Sequence, residues 1–197
     1  MKWFQLIKND NTVKNPLVCG FSNLEEYGFE DWDFNQGKFI DTWDGNIYFK
    51  AKKKEDEGVP DDVLQVGYSI PVYSERLVKC IENEKISGIQ FLKVKVLKSD
   101  NTEIKENFYI ANVLNYIEAL DYEKSIYNCF AEDFPNPNVT GKIAGVIKFV
   151  LKKNKLFDLD IIRLKEYQLS VFTSEKFKKM FEINNFTGYS FRNIQLR

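Results

Sequence analysis

Histidine is absent from the 197 residues. That excludes Ser–His–Asp and Cys–His nucleophile pairs, every zinc site with an imidazole ligand, and the ordinary proton shuttle near neutral pH. Cysteine is scarce: Cys19, Cys80 and Cys129 stand far apart with no CxxC pair. An odd count at such spacing argues against a disulfide framework and a zinc ribbon, and suits reduced thiols in a cytoplasmic protein. No apolar run approaches the roughly 20 residues of a membrane-spanning helix. The opening stretch is also interrupted too soon for the core of a signal peptide. The expected setting is therefore cytoplasmic, with no membrane association. An excess of one charge is lacking too. Lys+Arg number 28 and Asp+Glu 29, a net charge of −1, so the chain as a whole has no attraction for nucleic acid.

What the sequence has in quantity is apolar and aromatic side chains: 44% hydrophobic and 15% aromatic, with 17 Phe and 10 Tyr. That is ample for a sizeable core in one domain or two small lobes. Charge is unevenly spread. Residues 1–50 hold five Lys against eight acids, whereas residues 148–197 hold 11 basic and five acidic residues. The basic residues interleave with strand-like apolar patterns, which suits solvated faces better than a nucleic-acid tail.

Trp3-Phe4-Gln5-Leu6-Ile7 reads as an opening strand, punctuated afterwards by Asn9-Asp10-Asn11 and Asn15-Pro16. Residues 38–50 read as a hairpin, with Asp44-Gly45 suited to a type I′ turn. Residues 51–62 have the composition of a linker, Lys52-Lys53-Lys54 running into Glu55-Asp56-Glu57 and then Gly58 and Pro60. This suggests an N-terminal β-rich lobe, 1–58, and a second unit, 59–197.

The second unit contains an internal repeat. Ser74-Glu75-Arg76-Leu77 through Glu82 matches Ser174-Glu175-Lys176-Phe177 through Glu182 a hundred residues on, and Ser87-Gly88-Ile89-Gln90-Phe91 matches Thr187-Gly188-Tyr189-Ser190-Phe191 without a gap. In each copy the Ser hydroxyl can cap a helix and the Glu suits the positive end of its dipole. Leu77, Cys80 and Ile81, or Phe177, Met180 and Phe181, fall at helical spacing, and an alternating strand follows the Gly. Each copy is strand–helix–strand. Further strands are expected at 91–98, 108–113, 143–151 and 160–164, with a loop over 130–141. Many strands with two inserted helices make an α+β fold with a mixed, largely antiparallel sheet.

The segments Phe108-Tyr109-Ile110-Ala111-Asn112-Val113, Ile117-Glu118-Ala119-Leu120-Asp121 through Ser125, Ile147 through Leu151, Leu156 through Leu164, and Val171 through Phe191 follow one another in the order of a bacterial polymorphic-toxin immunity protein family, formerly a domain of unknown function. The chain resembles that family over about residues 60–197. The resemblance implies binding of a cognate protein toxin encoded beside it, with no catalytic residues and no cofactor to carry over. Residues 1–60 lie outside it.

Site candidates are few. Asp121 and Ser125 suit an Asx-type turn, since no base is present to activate the serine. Glu132, Asp133, Asp158 and Asp160 show no EF-hand spacing. The N-terminal stretch combines acids with large amphipathic rings: Glu25, Glu26, Glu30, Asp31, Trp32, Asp33, Trp43 and Asp44. Such a mixture suits a protein interface that meets a basic partner, because aromatic anchors supply affinity and complementary charge speeds encounter. Each tryptophan taken singly also fits a core position. The rival class is a carboxylate-dependent hydrolase or transferase, which needs two suitably separated carboxylates and a deep pocket that raises the pKa of one.

Overall fold

The computed structural model describes residues 1–8, 13–67 and 69–197; the Asn9-Asp10-Asn11 punctuation lies outside them. The chain opens with β1 (Trp3–Lys8), then β2 (Val18–Ser22) and β3 (Tyr48–Ala51), with two short 3-10 turns, Leu24–Tyr27 and Asp31–Asn35, between the latter two. β4 (Gln65–Val66) and β5 (Val72–Ser74) lead into α1 (Glu75–Asn83), and β6 (Ile89–Leu97) and β7 (Phe108–Val113) follow. Next come β8 (Tyr116–Ile117), β9 (Ile126–Cys129), β10 (Ile143–Lys148), β11 (Val150–Leu151) and β12 (Ile161–Leu164). β13 (Val171–Ser174), α2 (Glu175–Ile183) and β14 (Tyr189–Leu196) close the chain.

The fold is mostly β-sheet with two helices, an α+β arrangement of mixed sheets. Where the sequence suggests one sheet, the described residues form two of six strands, ordered β4-β2-β3-β6-β7-β5 and β11-β14-β1-β13-β12-β8, and a separate ribbon of β9 and β10. Each helix lies against its own sheet and the two helices meet, so the sheets share a core instead of merging. That core joins Leu77, Ile81, Phe177 and Phe181 to Tyr73, Ala111 and Val113 from one sheet and Leu6, Val171 and Tyr189 from the other. Each fully buried Leu or Phe contributes about 1.5–3 kcal/mol. The outer face of the first sheet packs a second cluster around Phe34, Phe49 and Phe108, and that of the second sheet a third around Trp3, Phe149 and Phe172.

Strand pairing crosses residue 58 in both directions. β1 pairs with β13 and β14 near the C-terminus, Gln5 opposite Phe172 and Arg192, whereas β3 joins the sheet of β6. The linker-like stretch 51–62 is tied down. Val59 N–H donates to Asn15 O at 2.9 Å, Ser99 donates from its amide and hydroxyl to Glu57, and Ala51 is fully buried.

Both helices begin as their sequences suggest. The Ser74 hydroxyl accepts from Leu77 N–H at 3.3 Å and the Ser174 hydroxyl from Phe177 N–H at 3.4 Å. Apolar residues face the core with one change: Val78 is buried in α1, and the expected Cys80 is half-buried. After each helix the chain turns through a positive φ, Lys85 at 55° and Asn185 at 51°, then Gly88 at 83° and Gly188 at 97°. A Cβ on Gly188 would stand 2.5 Å from Val63 O, so glycine is needed there for space as well as for φ.

An aspartate anchors each Ser cap. Ser74 N–H donates to Asp62 O and Ser174 N–H to Asp160 O, both at 2.8 Å. Each Ser hydroxyl also donates to its aspartate carboxylate, and Arg76 or Lys176 pairs with the same group. Asp62 alone reaches the other sheet.

The expected hairpin at 38–50 does not form. Residues 38–43 are irregular, and Gly45 lacks the positive φ of a type I′ turn. The segment docks on side chains instead. The Gln90 amide accepts from Ile40 N–H at 3.0 Å and donates to Ile40 O at 2.7 Å, and Asn112 Nδ2 donates to Lys38 O at 2.8 Å. Backbone groups satisfied in this way leave nothing to drive a strand ladder.

Candidate functional site

The N-terminal acidic stretch is built on the two 3-10 turns between β2 and β3. Leu24 and Phe34 sink into the core and fix the turns. Gly28, at φ 78°, ends the first turn. Glu30 and Asp33 close the start of the second with a reciprocal capping box, Asp33 Oδ2 accepting from Glu30 N–H at 2.9 Å. Asn23 Oδ1 accepts from Tyr48 N–H at 2.8 Å and ties the turns to β3.

With the apolar side chains inward, the acids point outward. Glu25, Glu30 and Asp31 line a cavity of about 270 Å³ with Phe21, Leu24 and Phe29. Glu26 is exposed on the first turn, and Asp33 is half-buried on the second. Asp44 sits in the following turn, where its Oδ1 accepts from Asn46 N–H at 2.7 Å. Among the described residues none of these acids is ion-paired.

The two tryptophans have different positions. Trp32 is 47% exposed beside the acids. Trp43 is half-buried, its ring 5.3 Å from Phe29 and 6.0 Å from Phe34, and its Nε1–H donates to Lys93 O at 2.7 Å. Trp43 therefore supports the site from below, and Trp32 presents itself to solvent. Sequence reasoning missed two exposed rings, Phe21 at 52% and Phe39 at 62%. Phe21 follows Gly20 and Phe39 stands beside Ile40 in the stretch read as a hairpin, and neither context tells which ring reaches solvent.

A carboxylate enzyme needs a deep pocket that raises the pKa of one of its carboxylates. One cleft of about 380 Å³ is lined by four acids, Asp61, Asp62, Glu75 and Glu106, beside Arg76. Both Asp62 oxygens are already taken by Ser74, Arg76 and Thr187. Glu75 is held below the usual carboxylate range by the Asn107 amide and Lys79. Glu57, bonded by Ser99, and Asp100, bonded by Thr102, are lowered too. At Asp121 burial pulls upward, but Arg197 and the amides of Lys124 and Glu123 outweigh it. These amides, with Ser125 N–H on Asp121 O at 2.9 Å, make the Asx-type turn read from the sequence. The shifts resolved for carboxylates all run downward, opposite to the direction that prepares a general acid.

Among the described residues no helix is long and apolar enough to cross a membrane, and no group of three or more Cys, Asp or Glu is placed to hold a metal ion. No curated protein matches the chain. The model of one protein family does match, and it begins at residue 6. The N-terminal segment, which the sequence resemblance left out, is thus included, in keeping with its strands being woven into both sheets. With residues 6–196 matched, the chain belongs to the Immunity protein family (Imm11).

Proposed function

We propose that this chain binds a cognate toxin of a bacterial polymorphic toxin system in the cytoplasm and neutralises it by occlusion, contacting it through the acidic face of the 3-10 turns. Family membership supports the immunity role. The observation that carries the choice of face is a set of acids, none ion-paired among the described residues, grouped with the exposed Trp32 and the exposed Phe21. Exposed rings of this kind supply the anchors of an interface, and uncompensated carboxylates attract a basic surface such as that of a nucleic-acid-cleaving toxin.

No step of chemistry is required of the chain in this reading. The units around Ser74 and Ser174 are read as two copies of one scaffold element, whose buried positions bind nothing. The test is association with the purified toxin. Wild type should associate quickly in low salt, and reversal of Glu25, Glu26 and Asp31 to Lys should slow association by about tenfold or more. An unchanged association rate overturns the assignment of the face.

A further inference from the structure

The ribbon β9–β10 diverges from the second sheet and leaves a gap at its edge. β11 pairs with β14 only at Val150↔Gln195 and Leu151↔Leu196. N-terminal to those pairs, β14 is bonded to β1 on one side, and among the described residues its other edge carries no strand. β10, which runs directly into β11, is paired on one side alone, with β9. Between the two bare edges lies a cavity of about 360 Å³ lined by Ile147, Lys148, Phe149, Arg192, Asn193 and Gln195, among others. Gln5 lines it too and is shared with a neighbouring cavity of about 390 Å³.

The chemistry of this gap is one-sided. No Asp or Glu lines either cavity. Lys148 and Arg192 are exposed and make no ion pair among the described residues. Ile147, which precedes Lys148 and also lines the cavity, is 76% exposed. Two open strand edges offer main-chain N–H and C=O groups, which an extended peptide satisfies and a nucleic-acid strand does not. Two unpaired cations select acidic side chains on that peptide. We propose that the gap between β10 and β14 is a second docking surface, which takes an extended acidic segment of a partner protein by strand addition. The proposal does not rest on the acidic face.

The experiment titrates a labelled hexapeptide alternating glutamate with valine into the full chain, follows fluorescence polarisation, and maps amide shifts by NMR. Binding is expected with shifts at residues 147–149 and 190–195. The double variant Lys148→Glu, Arg192→Glu should bind at least tenfold more weakly, while the control Lys153→Glu, Lys155→Glu, at an exposed turn elsewhere, binds as wild type does. Lack of binding, shifts mapping elsewhere, or equal loss in both variants overturns the proposal. So does tighter binding of a single-stranded oligonucleotide, or self-association abolished by Glu25→Lys, Glu26→Lys, Asp31→Lys, which would make a second copy the occupant.

Discussion

Asp62 Oδ2 accepts a hydrogen bond from the backbone N–H of Thr187 at 3.0 Å, across 125 residues of sequence. In the same place Thr187 Oγ1 accepts from Asp62 N–H at 3.0 Å, and Val63 N–H donates to Thr187 O at 3.0 Å. These bonds join the segment before β4 to the turn after α2 and so tie one sheet to the other. Arg76, 2.6 Å from the carboxylate, balances its charge and lies over the Phe186 ring, 4.4 Å from the centroid.

Replacing Asp62 with Ala removes a buried acceptor that serves several donors and leaves those donors without a partner. The expected loss is about 3–5 kcal/mol. Asp160→Ala should lose less, because Asp160 serves one cap and a lysine at 3.4 Å and, among the described residues, makes no bond to the other sheet. Urea unfolding of the two variants measures the difference, and equal losses would show that the cross-sheet bonds contribute nothing.

Gly188→Ala meets both a positive φ of 97° and the Val63 carbonyl, whereas Gly141, at φ 72°, has nothing within 4 Å of its Cβ position. Gly141→Ala should therefore lose about 1 kcal/mol, the backbone penalty alone, and Gly188→Ala clearly more. Thermal melts of the pair test this.

Burial pushes the Cys19 thiol from 9.0 up to about 12. A group whose folded pKa is raised contributes stability that is complete below the unfolded pKa and is lost as pH climbs towards the folded one. Stability should fall above pH 9 by up to about 1.4 kcal/mol per pH unit from this residue. Tyr73 and Tyr189, both raised by burial, add to the fall above pH 10. Cys19→Ala should flatten the decline between pH 9 and 10, with a residual slope from Cys80, which burial also raises. Unfolding midpoints on either side of pH 9 supply the check.

The two tryptophans separate stability from binding. Trp43→Ala strips a half-buried ring from Phe29 and Phe34 and removes the donor to Lys93 O, so it should destabilise by about 2–4 kcal/mol. Trp32→Ala should leave stability within about 0.5 kcal/mol and weaken toxin binding by 2 kcal/mol or so if Trp32 is an anchor. Melting and titration calorimetry together decide which ring does which.

Features encoded within a few residues were legible in the sequence. Ser74 and Ser174 announce their helices through a hydroxyl and a following glutamate, and Gly188 announces its positive φ by following a helix end. Pairing over long range was not legible. Nothing local in Trp3–Lys8 tells that β1 inserts between β13 and β14, and this insertion crosses the boundary suggested by the linker-like composition of 51–62. Asp44-Gly45 gives the same turn signal whether the preceding segment meets another strand or, as here, the Gln90 amide. At the candidate site the acids and Trp32 were readable as composition. Phe21 and Phe39 were not, since a strand-like run of apolar residues leaves open which face reaches solvent.

The proposed immunity role is tested most directly by the growth of cells that express the proposed cognate toxin. They are compared with no chain, with wild type, and with the folded variant Glu25→Lys, Glu26→Lys, Asp31→Lys at equal expression. Growth should arrest without the chain, recover with wild type and fail to recover with the variant. Failure of wild type to rescue would contradict the immunity role, and full rescue by the variant would contradict the acidic face as the site of contact.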